Sequence, residues 1–242
     1  MPRLPPAILF DLDDTILSFG RRAEQIAHAA RELAAELHPC TPEEAAEALD
    51  AANRAFWAAG ERHKLWRMRP LVESRRIIAE EAFEALKGRG HGHLTRELAH
   101  RLGERFNERR EAECGFFPGA CEALDEIRAR GVKMALVTNG VGEVQRAKIS
   151  RFGLEPRFDH IQIEGEHGFG KPEERAYLHA MDALGVGPSE TWMVGDNLEW
   201  EVAAPQRLGI WSIWHDAYGQ GLPEDSPVRP DRIIRSLREL LE

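Results

Sequence analysis

The sequence predicts an α/β protein: a parallel sheet with helices on both faces, interrupted after its first strand by an all-helical insertion. Three observations carry this. The apolar run Ala7-Ile8-Leu9-Phe10 ends abruptly in Asp11-Leu12-Asp13-Asp14-Thr15. From Phe117 onward, short apolar runs alternate with helical segments. Between these regions lie about a hundred residues with helical periodicity and almost no strand signal.

The first run lacks polar alternation, so it suits a strand buried on both faces of a parallel sheet. Roughly four helices follow. One covers residues 21–37. The next opens at Thr41-Pro42-Glu43-Glu44, where Thr41 is a good N-cap, Pro42 suits the first helical position and Glu44 completes a capping box. A third covers residues 70–87 and stops at Gly88, and a fourth covers 94–112 after a glycine-rich loop. Residues 132–138, 160–163, 191–195 and 209–214 are the later strands, with 160–163 the weakest. A right-handed crossover needs only a dozen or so residues, far fewer than separate Asp11 from Thr138. The excess is helical and reads as a separate domain, which places residues 1–17 and 115–242 in a catalytic core and 18–114 in a cap. A helical cap over strand ends is a ready device for excluding water and choosing substrates.

The chain has 242 residues, 43% of them apolar and 30% charged, with a formal net charge of −9. This fits a globular protein and argues against a broad nucleic-acid surface. No apolar stretch approaches the roughly 20 residues needed to span a bilayer. The start lacks a signal peptide's apolar region, and three cysteines without C-x-x-C spacing indicate neither a disulfide framework nor a zinc site. We therefore expect a cytoplasmic protein that binds neither membrane nor nucleic acid and is a monomer or homodimer.

Open α/β sheets place their ligands beyond the carboxyl ends of the strands. Four segments fall there: Asp11 to Thr15, Leu136-Val137-Thr138-Asn139-Gly140, Phe169-Gly170-Lys171-Pro172-Glu173 and Met193-Val194-Gly195-Asp196-Asn197. Asp11 and Asp13 are two residues apart, so in an extended chain they face one spot and repel unless a cation or a shared proton relieves them. Several carboxylates, one ammonium and one hydroxyl describe a magnesium site facing a phosphate. Lys171 and the Thr138 hydroxyl would hold phosphoryl oxygens during transfer. Taken singly each piece has an ordinary structural explanation; the order and spacing of all four together do not.

Those four stretches resemble the four motifs of the haloacid dehalogenase-like hydrolase superfamily, and the helical insertion resembles the C1 cap of its subfamily I. The resemblance implies a Rossmann-like core, a four-helix-bundle-like cap and a phosphatase acting on a small-molecule phosphate ester. It also implies residue roles. Asp11 is the nucleophile that becomes an aspartyl phosphate, and Asp13 is the general acid and base. Thr138, Asn139 and Lys171 bind phosphate, with Thr138 and Lys171 also catalytic. Mg2+ is held by Asp11, the Asp13 main-chain carbonyl and Asp196. The fourth motif departs from the usual pattern: Glu201 stands where a second aspartate is common, and either reaches the metal's water shell or only braces Lys171. The alternative readings are a 2-haloacid dehalogenase, which needs no metal, a phosphomutase and a non-catalytic phosphate-binding protein. Substrate choice is expected in the cap and in the loop after the first motif; the cationic residues 61–69 join two cap helices and could bind the leaving group of an anionic or base-bearing phosphate. The six tryptophans are expected to serve packing.

Overall fold

The computed structural model describes residues 4–242 apart from Ala59, Arg67 and Pro70. The chain divides into two compact units, Met1–Ser18 with Gly115–Glu242, and Phe19–Cys114.

The first unit contains eight strands among its described residues: β1 (Ala7–Phe10), β2 (Leu17–Ser18), β3 (Gly115–Phe116), β4 (Lys133–Thr138), β5 (His160–Ile163), β6 (Thr191–Gly195), β7 (Trp211–His215) and β8 (Arg232–Ile234). Six form one sheet in the order β5-β4-β1-β6-β7-β8, with every pairing parallel. β1 lies in its interior, and all four of its residues are fully buried. Ala7 and Leu9 join Ala135, Val137 and Met193 under the Glu174–Leu184 helix, which supplies Tyr177, Ala180, Met181 and Leu184. By the alternation of a strand, Ile8 and Phe10 face the other side, where the Phe10 ring meets Phe158 edge-on at 6.2 Å. Burying each large apolar side chain of this kind contributes about 1.5–3 kcal/mol. Continuous burial therefore explains a strand without polar alternation.

β7 begins two residues later than expected, because Gly209 turns the chain with φ +82°. β8 was not expected, being only three residues long and too short for periodicity to register. β2 and β3, two residues each, pair antiparallel through Leu17 with Phe116 and Ser18 with Gly115. They bring together the two chain segments that flank the insertion.

In the second unit, the helix Pro42–Ala58 packs on both Arg22–Glu32 and Leu71–Gly88, and Arg96–Glu113 packs on the same two. The four close a ring around one core that includes Ile26, Leu49, Phe56, Ile78, Phe83 and Leu102. The capping box forms as its sequence dictates: Thr41 N–H donates to Glu44 Oε2 at 2.8 Å, and Glu44 N–H donates to Thr41 Oγ1 at 3.1 Å. Thr95 caps the last helix by accepting Leu98 N–H at 3.2 Å, so that helix starts at Arg96 rather than at residue 94. The single helix expected over 21–37 is divided into Arg22–Glu32 and Ala34–Leu37, parted at Leu33, where ψ is 13°. Gly60–Trp66, expected as a connection, is helical; Glu, Arg, Lys and Leu are strong helix formers. Arg67 of the cationic stretch is not among the described residues, so an anion contact there lies outside them. Among the described residues no helix is long and apolar enough to cross a membrane.

Candidate active site

β1, β4 and β6 end side by side, and residues at or just past their ends open onto one cavity. Asp11 N–H donates to Val194 O at 3.0 Å, so the ladder runs one residue past β1 and fixes the Asp11 backbone between its neighbours. The chain then reverses. Asp14 takes φ +60° and donates N–H to Leu17 O at 2.7 Å, while Ile16 and Leu17 both donate to Leu12 O. Asp11, Asp13, Asp14, Thr138, Asn139, Asp196, Asn197, Trp200 and Glu201 line a cavity of about 210 Å³. A larger recess of about 660 Å³ sits at the opposite strand ends against Leu4, Pro5, Pro6 and Trp192. It gathers no comparable set of reactive groups, so the smaller cavity is the candidate site.

Lys171 is completely buried. Its Nζ lies 2.5 Å from Asp11 Oδ1 and 2.7 Å from Glu201 Oε1. Burial alone would pull the ammonium pKa down, yet Asp11 and Glu201 together hold it above the ordinary lysine value. Glu201 has the converse problem. Burial raises its carboxyl to about 7 against the pull of Lys171, with the Asp11 charge adding to the rise. Its other oxygen accepts Asn197 N–H at 2.8 Å.

Asn139 grips the Lys171 backbone from both sides. Lys171 N–H donates to Asn139 Oδ1 at 2.9 Å, and Asn139 Nδ2 donates to Lys171 O at 2.6 Å. The Asn139 amide, expected as a phosphate ligand, is thus committed to placing the lysine. Gly195 and Gly170 are required by close approach. A Cβ on Gly195 would collide with the Glu201 side chain, and one on Gly170 would sit 2.8 Å from Glu164 Cδ.

Thr138 ends β4 and is buried. Its Oγ1 accepts Gln145 Nε2–H at 2.6 Å and donates its own proton only over a long 3.5 Å contact to Asn139 O. The same Gln145 amide donates to Asp13 Oδ2 at 3.0 Å. Lys148, one turn along the same helix, places Nζ at 2.7 and 2.5 Å from the two Asp13 oxygens. Neither Gln145 nor Lys148 carries a signal that sequence reasoning could use. Trp200, expected only as packing, lines the cavity, and its backbone N–H donates to Asn197 Oδ1 at 3.1 Å. Trp214 Nε1–H donates to Asp196 O at 2.7 Å and anchors that turn.

The Asp196 carboxyl is pushed well above the ordinary carboxylate range by the protein around it, then by the charges of Glu201, Asp11 and Asp14. The residue is nevertheless open to solvent, so repulsion among carboxylates is the part that an incoming cation relieves. Oxygen donors in this density fit a hard divalent cation. Asp11, Asp13 and Asp196 all line this cavity.

Comparison with known proteins places the chain. The phosphoserine phosphatase of Thermus thermophilus is 35% identical over 96% of both chains. The HAD-hydrolase YfnB of Bacillus subtilis, solved with magnesium bound, superposes with a TM-score of 0.70 at 24% identity over 98% of this chain and 97% of its own. The L-2-haloacid dehalogenase of Xanthobacter autotrophicus shares the fold with a TM-score of 0.61 at 18% identity, over 98% and 97% of the two chains. The haloacid dehalogenase-like hydrolase family matches residues 5–209, so the chain belongs to that family of hydrolases.

Proposed function

We propose that the protein is a Mg2+-dependent phosphoric monoester hydrolase that cleaves a small phosphorylated metabolite through an aspartyl phosphate on Asp11. The observation that carries this reading is the buried Lys171 ammonium, 2.5 Å from Asp11 Oδ1, beside a cavity that also meets Asp13, Thr138 and Asp196.

Lys171 occupies one oxygen of Asp11 and so leaves the other to attack phosphorus. As the Asp11–phosphorus bond forms, the ester oxygen departs and takes a proton from Asp13. The Thr138 hydroxyl donates a hydrogen bond to a phosphoryl oxygen, and Lys171 balances the charge that builds there. Water then attacks phosphorus, gives its proton to Asp13 and releases inorganic phosphate with Asp11 restored. A divalent cation held by Asp11, the Asp13 main-chain carbonyl and Asp196 would offset the negative charge shared by the carboxylates and the phosphate dianion. Gln145 and Lys148 hold the Asp13 carboxylate, and Asn139 and Glu201 hold Lys171; these four act on the reaction through those partners.

The likeness to a phosphoserine phosphatase supports phosphate-ester chemistry and makes phosphoserine the first substrate to try. The test is a panel of phosphoserine, sugar phosphates, nucleotides, phosphoglycolate and acyl phosphates, assayed with Mg2+ for free phosphate. The expected result is phosphate release that EDTA abolishes. Chloride release from a 2-haloacid that persists in EDTA, with no phosphate released from any ester, would overturn the proposal in favour of dehalogenation. Return of the phosphoryl group to another position of the substrate would identify a mutase.

A further inference from the structure

Outside the acidic cavity, three imidazoles meet at one place on the same unit. His160 opens β5, His167 closes the short Glu164–His167 helix, and His179 lies on the Glu174–Leu184 helix. One potential ligand atom from each lies within 4.8 Å of the other two. The ring centroids of His167 and His179 are 5.1 Å apart, and those of His160 and His179 are 5.4 Å apart. Histidines packed for structure alone normally find hydrogen-bond partners for their buried nitrogens. Here the buried Nε2 of His160 has none.

The tautomers of the other two rings follow from their partners. His167 Nδ1 lies 3.1 Å from Ile163 O, a carbonyl that can only accept, so Nδ1 carries the proton. His179 Nδ1 lies 2.8 Å from Gln162 Oε1. The orientation of that amide is set in turn by Gln162 Nε2–H donating to Ala176 O at 2.9 Å. In its neutral form each ring therefore presents its lone pair on Nε2. A ligating histidine characteristically donates its second N–H to an oxygen in this way, which fixes tautomer and ring orientation. Burial, then the neighbouring His179 and His167, hold His160 below the ordinary imidazole value, so it too offers a neutral nitrogen.

We propose that His160, His167 and His179 form a second metal site that binds a borderline divalent transition cation, zinc foremost, with solvent in the fourth position. Three neutral imidazoles without a carboxylate suit zinc and disfavour magnesium. Zinc–nitrogen bonds of about 2.0–2.1 Å in a tetrahedral shell put ligand nitrogens roughly 3.3 Å apart. The rings must then close by about 1.5 Å at most, which side-chain rotation of partly buried residues allows. A bound ion would tie together β5, the Glu164–His167 turn and the Glu174–Leu184 helix.

The test is a zinc titration of the chelator-treated full-length protein against a chromophoric competitor. Excess Mg2+ is kept present to occupy the acidic site, and Co2+ serves as a spectroscopic probe in parallel. The wild type and Asp11→Asn should each take up one zinc per chain, and Co2+ should give a tetrahedral absorption band. His167→Gln with His179→Gln should weaken uptake by at least the roughly 10–100-fold that loss of a mere supporting partner costs a metal site, while circular dichroism stays unchanged. Zinc uptake that survives the histidine changes, or that disappears with Asp11→Asn, would overturn the proposal.

Discussion

Replacing Glu201 probes the buried charge chain most sharply, because its carboxylate is shared by Lys171 Nζ at 2.7 Å and Asn197 N–H at 2.8 Å. Glu201 is 1% exposed and Lys171 0%, so solvent can compensate neither partner. Removing one member of a buried ion pair costs about 3–5 kcal/mol. For Glu201→Ala the retained Asp11 contact keeps the loss inside that range rather than above it. At about 2–4 °C per kcal/mol for a chain of this size, the melting temperature should fall by roughly 6–20 °C. Glu201→Gln is the finer variant. Its single carbonyl oxygen can serve Lys171 or Asn197 but not both, so one buried donor loses its partner at about 1–3 kcal/mol. Thermal and urea unfolding with and without Mg2+ measure stability, and the split between kcat and KM measures the placement of Lys171. The account expects Glu201→Ala to be less stable than Glu201→Gln, with kcat falling in both. Wild-type stability and kcat in Glu201→Ala would refute the reasoning that Glu201 braces Lys171.

Three further perturbations follow from the same geometry. Gly195→Ala drives a methyl group into the Glu201 side chain; overpacking of this kind costs about 1–3 kcal/mol, so urea unfolding should shift to lower concentration and kcat should fall with it. Lys148→Met releases the Asp13 carboxylate, which it contacts at 2.5 and 2.7 Å. It should lower kcat by less than Asp13→Ala, whose loss of acid–base assistance costs about 10²–10⁴-fold, and should cost nothing further in an Asp13→Ala background. In the metal-free protein Glu201 holds its proton up to about pH 7, whereas the unfolded chain releases it near 4.5. Within that window the folded state binds more protons than the unfolded one, so this group makes stability fall as pH rises. The share of the slope due to Glu201 should vanish in Glu201→Gln, leaving that of Asp196.

Residues whose place follows from their own stretch of chain were legible in the sequence. Asp11, Thr138 and Asp196 each end or follow an apolar run, and the rule that ligands gather at strand ends was enough to bring them together. Lys171 was legible as an ammonium between a strand and a helix. Its complete burial was not, because that depends on Glu201, thirty positions along the chain. Gln145 and Lys148 were invisible for a related reason: they sit on a largely polar helix, and nothing local shows that this face meets Asp13. β2, β3 and β8 are two or three residues long, below the reach of periodicity, and form by pairing with distant partners. Asn139 shows the opposite limit. Its motif was visible, but its task of holding the Lys171 backbone emerged only with coordinates.

Whether phosphorus becomes bonded to the Asp11 carboxylate during turnover can be measured directly. The protein would be mixed with a hydrolysed phosphate ester and Mg2+, quenched in acid within one turnover, reduced with borohydride and digested for mass spectrometry. An acyl phosphate at Asp11 would be reduced to homoserine, so the peptide spanning residues 7–15 should carry that change at position 11 and lose it in Asp11→Asn. Modification at any other residue, or none while phosphate is being released, would contradict the account.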